Sequence, residues 1–383
     1  MRGYAVVLLV VMISLQNIPH GELNHTVVEH SSVSSKSTGV DLSVSAISYS
    51  YPNSVDQQKY QMFSSNYPIP NFNKPESLFV TDAVIDVPIT IQVTVQNLGT
   101  ANSPAVDLTV LTLHNEYQNF ELSNQTNVIS SVRALDSTTS SFTLVPSYAG
   151  NHTIVVTPKM TTPDDNPSND ILVETFTVAS HYFNCDDLSL WTVGQGWGTN
   201  GEAALSQGSA CHIGNGQSST YQPDLDTSLI TPVLDMSDAI SNPTRTNGIA
   251  FFFTGSVAAG DSLKAYSMSQ SNSWVELASI SGTIDSDVSD GSDWQTASIN
   301  NAGATSPLIP SPQQNFHANS QFRFGFSSDA VNEDIGLWID EIVLIYDQQL
   351  RDDEYGIIAQ GLNFQGTVPE SWGKATIQLT NTG

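Results

Sequence analysis

Cysteine is nearly absent. Of 383 residues only Cys185 and Cys211 carry a thiol. That excludes a disulfide-dense scaffold, and it argues against a tetrahedral metal site, because His212 alone cannot complete a ligand set with two thiolates. Basic residues are also scarce, 11 against 38 acidic ones, and the formal net charge is −27. So acidic a chain repels nucleic acid and anionic lipid, and neither is an expected partner. Charged residues reach only 13%, about half the usual globular share, so Ser, Thr, Asn and Gln supply much of the polar surface. No apolar run after Leu15 is long enough to span a bilayer. His-Glu-x-x-His, Gly-x-Ser-x-Gly and phosphate-cradling loops are all missing. No enzyme is expected in this region.

What is present begins with an export signal. Arg2 gives a thin positive start, and Ala5 to Leu15 forms an apolar core of signal-peptide length, so residues 1–21 read as a cleaved leader. A secreted or cell-surface location follows. In an exported chain a lone cysteine pair most simply forms one disulfide, Cys185 to Cys211, worth about 3 kcal/mol on the chain-entropy model. Sequons at Asn24, Asn124 and Asn151 are candidate glycosylation sites. Residues 22–40, rich in Ser, Thr and His, read as a flexible linker.

From Asp41 the pattern turns to period-two alternation. Val87, Ile89, Ile91, Val93 and Val95 lead into Asn97-Leu98-Gly99. Ala105 to Leu113 continues the pattern with an offset that could hide a bulge. Further strands are expected over Val128 to Val132, Ser141 to Val145, His152 to Thr157 and Ile171 to Val178. Tyr51 to Ser77, rich in Tyr, Phe, Pro and Asn, reads as a long insertion. About seven short strands without a helical period predict an Ig-like β-sandwich over residues 41–180. Three motifs carry a resemblance: Asp41-Leu42-Ser43-Val44, Ile91 to Gly99, and Asp164 to Asp170. Together they resemble the CARDB-type Ig-like adhesion module, which implies a spacer or adhesion role without catalysis.

Residues 181–347 are richer in Trp and Gly. The runs Ser228 to Ser237, Phe322 to Phe326 and Gly336 to Asp347 resemble the jelly-roll modules of the MAM and immune-inhibitor-A type, found beside secreted proteases and on surface proteins. Residues 348–383 read as a charged connector and then a strand, Ala375 to Leu379, which enters Asn381-Thr382-Gly383 as Val93 to Val95 enters Asn97-Leu98-Gly99. This is the expected start of a further Ig-like module. The fold class is therefore all-β.

Candidate chemistry is thin. Gly260-Asp261-Ser262-Leu263 spells an esterase nucleophile block, but the late histidine, His317, has Gln314 rather than an acid three residues before it. Acids inside the strand at Gly336 need water, a partner charge or a metal. In carbohydrate-binding jelly rolls that this module resembles, a residue after an N-terminal Phe and an Asp in the last strand hold calcium. That likeness places Asn184 and Asp340 at those positions, and with the first and last strands adjoining, Asp187 or Asp186 could join them in holding a structural Ca2+. The competing reading has Asp340 capping loop amides or pairing with Arg323. The acidic loop Asp285 to Asp293 is a second, weaker cation candidate and more simply a solvated loop. Trp197, between glycines, and Trp338 are candidate sugar-stacking platforms, though most sandwich tryptophans are partly core. The expected function is non-catalytic adhesion or recognition, with an extracellular protein or glycan as partner. The alternative is an accessory, substrate- or carbohydrate-binding region of a larger secreted hydrolase such as a protease.

Overall fold

A computed structural model describes residues 38–53, 55–56, 60, 81–114, 120–205, 208–240, 248–288, 294–300 (backbone alone for 295–300) and 316–350. The leader, Asn24, the linker before Thr38, most of the Tyr51 insertion, the second half of the acidic loop and the strand at Ala375 lie outside them. Nineteen strands form four sheets, so the described chain is all-β.

The first sandwich holds β1 (Leu42–Ser50), β2 (Ala83–Val84), β3 (Ile89–Asn97), β4 (Val106–Leu113), β5 (Glu121–Ile129), β6 (Ser137–Leu144), β7 (Gly150–Met160) and β8 (Leu172–Ala179). One sheet runs β1-β3-β6 and the other β2-β8-β7-β4-β5. The alternating residues of β3 and β4 supply the core between them: Ile89, Ile91, Val93, Val95, Val106, Leu108 and Val110 are all buried. Within the run Ala105 to Leu113, β4 has a register shift against β5, between Thr112 and Leu113. β5 begins earlier than apolar patterning predicts. It is an edge strand of polar residues whose side chains stay largely outside the core, so the hydrophobic period is weak there.

The second sandwich holds β9 (His181–Phe183), β10 (Thr192–Val193), β11 (Trp197–Asn200), β12 (Ala210–Ile213), β13 (Asp226–Ile230), β14 (Gly248–Ser256), β15 (Ser262–Met268), β16 (Trp274–Ile280), β17 (Gln295–Asn300), β18 (Phe322–Ser327) and β19 (Gly336–Ile345). A five-stranded sheet runs β10-β13-β18-β15-β16. It faces a sheet ordered β11-β12-β19-β14-β17, with β9 also on β19. Phe251, Phe324, Phe326, Leu229, Leu263, Leu337 and Ile339 fill the space between.

β19 is the central strand of its sheet, and all ten of its residues are buried. Its partners are β14 on one side and β12 and β9 on the other. Against β14, Ala250 pairs with Val343 but Phe252 with Asp340, so β19 carries one extra residue, a β-bulge. Glu341 lies inside it with a φ of 53°. The bulge inverts the alternation. Leu337 and Ile339 face the inter-sheet core, as do Ile342 and Leu344 beyond it. Trp338, Val343 and Ile345 face a second apolar layer with Val84 and Ala179 of the first sandwich.

That layer is one part of the junction between the sandwiches. The other is polar and buried. The segment after β19 returns to the first sandwich, where Asp347 Oδ1 accepts from the backbone N–H and the Nδ2 of Asn151, at 2.9 and 3.1 Å. Gln348 exchanges two bonds with Ala149, through its Oε1 and its own N–H. The Gln348 carbonyl accepts from His114 Nε2 at 2.9 Å. Gly150 permits this approach: its φ is 117°, and a Cβ there would lie 2.7 Å from Asp347 Oδ1.

Candidate functional site

The disulfide forms as expected: Cys185 and Cys211 are bonded, and both are buried. It ties the chain just after β9 to β12, and so pins the first residues of the second sandwich beside β19.

The calcium triad does not assemble. Asp340 is fully buried, and its two oxygens accept the backbone N–H groups of Leu205, at 2.9 Å, and Glu341, at 2.8 Å. This is the geometry of the capping alternative. Asn184 turns to Asp186, and Asp187 is exposed and accepts from the Ser189 N–H. Among the described residues no group of three His, Cys, Asp or Glu side chains is placed to hold a metal. Arg323 does not pair with Asp340. Its guanidinium lies 4.1 Å from the Tyr266 ring centre and 4.9 Å from that of Trp274.

Both tryptophan platforms need correction. Trp338 has no exposed surface. It stacks on His212 with ring centres 3.9 Å apart, and its Nε1 donates to Asn200 Oδ1. The strand places it one face away from solvent, toward the first sandwich. Trp197 is only 7% exposed and packs in the inter-sheet core. The glycines around it open a cleft instead, about 270 Å³, lined by Gly196, Gly198, Thr199, Asn200, His212 and Asn215 among others. His212 is the titratable group there. A carbonyl can only accept, so its Nε2 donates to Ile335 O at 3.2 Å, and burial holds its pKa down at about 4. The ring is therefore neutral near pH 7 and held in place by stacking on Trp338.

The esterase letters are structural. Asp261 is buried and accepts from the Tyr221 hydroxyl and the Asp329 N–H. Ser262 points at Ser327 across the sheet. His317 engages the Met268 carbonyl and the Asn319 N–H through its two ring nitrogens. Serine and histidine are thus held by different partners.

The sequons divide. Asn124 is exposed on edge strand β5, its amide donating to nearby Glu121. Asn151 is 6% exposed and serves the junction through Asp347, so the folded chain has no room for a glycan there. Sequence reading also missed the acids of the first sandwich that do approach one another. Asp170 is pushed up to about 7, first by burial and then by the negative charges of Asp164 and Asp41. The motif carrying these acids is visible in the sequence, but its crowding depends on β1 meeting the loop before β8.

Comparison with known proteins finds similarity over the first sandwich. A CARDB family model matches residues 71–170. The CARDB domain of a Pyrococcus furiosus protein, solved in complex with di-metal ions, is similar at 16% identity over 38% of this chain and 93% of that one, with a TM-score of 0.24. TmCBM61 in complex with β-1,4-galactotriose is similar at 11% identity, over 42% and 91%, with a TM-score of 0.27. The secreted serine protease VesC from Vibrio cholerae matches at 9% identity over 71% of this chain and 50% of its own length, TM-score 0.21. No curated protein matches by sequence. The Ig-like sandwich of this chain thus carries a CARDB match over residues 71–170.

Proposed function

We propose that this chain is a non-catalytic recognition and spacing segment of an exported protein, acting at a cell surface or in the surrounding matrix. The observation that carries this reading is the junction. Buried bonds from Asp347 and Gln348 to Asn151, Ala149 and His114 fasten the two sandwiches to each other, so that the second presents its surface from a fixed support. Modules joined only by a flexible linker would move independently. The neutral, stacked His212 and the separate engagements of Ser262 and His317 support a binding rather than a catalytic role. The exported location rests on the residue 1–21 pattern together with the disulfide. Likeness of the second sandwich to MAM and immune-inhibitor-A modules is supported by the Ser228 run, part of which forms β13, and by the Gly336 run, which forms β19.

A second reading, the accessory region of a larger secreted hydrolase, keeps the same surfaces and adds a catalytic domain elsewhere. The test is a glycan and matrix-protein array probed with the full chain, followed by product analysis of every bound ligand. Retention of a ligand without turnover is the expected result. Hydrolysis of the bound ligand by the chain itself would overturn the reading.

A further inference from the structure

The outer face of the sheet β10-β13-β18-β15-β16 carries an arrangement that the fold does not require. Strand pairing sets its side chains in rows. Ile230, Arg323 and Tyr266 lie directly across from one another, and the next row is Ser228, Gly325 and Lys264. A third row is Asp226, Ser327 and Ser262. The intervening residues, Leu229, Phe324, Phe326, Ala265 and Leu263, point into the core, so these three rows face outward.

Arg323 dominates this face. Its guanidinium lies against Tyr266 and Trp274, at 4.1 and 4.9 Å. Such stacking fixes the plane of the cation at small entropic cost and leaves the edge formed by its two terminal nitrogens for a ligand. Gly325 makes room for the Tyr266 ring on which the cation stacks: a Cβ there would come 3.2 Å from that ring. In a chain of net charge −27 an arginine would be expected to meet an acid, yet Arg323 makes no ion pair among the described residues and its buried Nε has no hydrogen-bond partner. Lys264, on the same face, is already paired with Glu276 at 3.0 Å.

We propose that this face binds a saccharide bearing an isolated carboxylate, with the guanidinium of Arg323 taking the carboxylate in a bidentate pair and Ser228 and Ser327 meeting ring hydroxyls. A planar fork held between two rings matches a carboxylate in shape as well as charge. The net charge argues against a polyanion, which the whole molecule repels at long range. It favours a ligand whose acid is sparse on an otherwise neutral sugar. The hydroxyls of the flanking rows fit sugar, whereas a flat sheet face offers no free strand edge for a peptide to extend.

The inference deepens the recognition reading and rests on it. The experiment titrates the full chain, observed by amide NMR, with three probes: a neutral trisaccharide capped by one glucuronate, its methyl ester, and a tripeptide carrying a single glutamate. The uronate probe is expected to bind, with shifts confined to β13, β15 and β18, and esterification to weaken it at least tenfold. Arg323→Lys keeps the charge but loses the fork, and should weaken binding by a similar factor, while Lys264→Gln changes it less than threefold. Equal binding of acid and ester, or of the uronate by Arg323→Gln and wild type, would overturn the proposal. Equal binding of the peptide would overturn the saccharide assignment. If the neutral ester alone binds, recognition stands and this inference fails. No response to any probe overturns this inference, while the array of the preceding section still decides the recognition reading.

Discussion

At the residue scale, ionisable groups shifted by burial set how the chain responds to pH, and two of them act in opposite directions. His212 has a folded pKa of about 4 against an ordinary 6.5, chiefly through burial. The unfolded chain therefore binds the extra proton first, and the second sandwich loses stability as pH falls from about 6.5 toward 4, by on the order of 3 kcal/mol in all. Thermal melts of His212→Gln should show a flatter dependence across that window, and an unchanged slope would contradict the assignment. Asp170 behaves in reverse. Its folded pKa is raised to about 7 from 3.8, so the folded state prefers the neutral acid. Its ionisation weakens the first sandwich as pH rises from about 4 to 7, and the full penalty is present above 7. Asp170→Asn should raise the melting temperature at pH 8 and leave it unchanged near pH 3.5. Because this side chain is partly exposed, solvent screening will moderate the gain. The carboxylate of Asp340 is a third case. It satisfies two backbone amides, so Asp340→Ala leaves buried donors unpaired and should cost about 2–4 kcal/mol, measured by chemical denaturation.

At the element scale the main devices are a bulge and a closed edge. The extra residue at Glu341 lets one strand serve two layers, the inter-sheet core through Ile339 and Ile342 and the junction layer through Trp338 and Val343. Deleting Glu341 would swap those faces beyond the bulge, and the second sandwich should fail to give a cooperative melt. At the other end of the chain, Gln125 and Asn127 of β5 reach across to the carbonyls of Thr143 and Ser141 on β6, each at 2.8 Å. These bonds cap unpaired groups at an open sheet edge. Replacing both side chains with Ala is expected to cost about 1–3 kcal/mol and to increase self-association by edge pairing, which sedimentation would detect.

Much of this was readable from residue order, and the limits have physical causes. The alternation of Val87 to Val95 places β3, and the run Ala105 to Leu113, read with an offset, does contain a register shift. The cysteine pair is bonded. By contrast, the faces of Trp338 and Trp197 were not legible, because alternation gives relative sidedness within a strand and not which side meets solvent. Trp338 is buried by a second module, a contact between residues far apart in sequence. Asn151 matches a sequon locally, yet its environment is made by Asp347, 196 positions away. The Arg323 platform shows in the sequence only as one of three bases in an acidic module, with Arg245 and Lys264. Its aromatic partners become neighbours only through strand pairing.

At the scale of the whole molecule, the proposal of a recognition segment depends on two sandwiches moving as one. Gly150 makes a close approach at their junction, where a side chain would collide with Asp347. The most direct test is therefore small-angle X-ray scattering with calorimetry on the full chain and on Gly150→Val and Asp347→Ala. The wild type is expected to give a single narrow distribution of module separations, and both variants a broadened one with the two sandwiches melting separately. A wild type already as broad as the variants, with two independent transitions, would contradict the account.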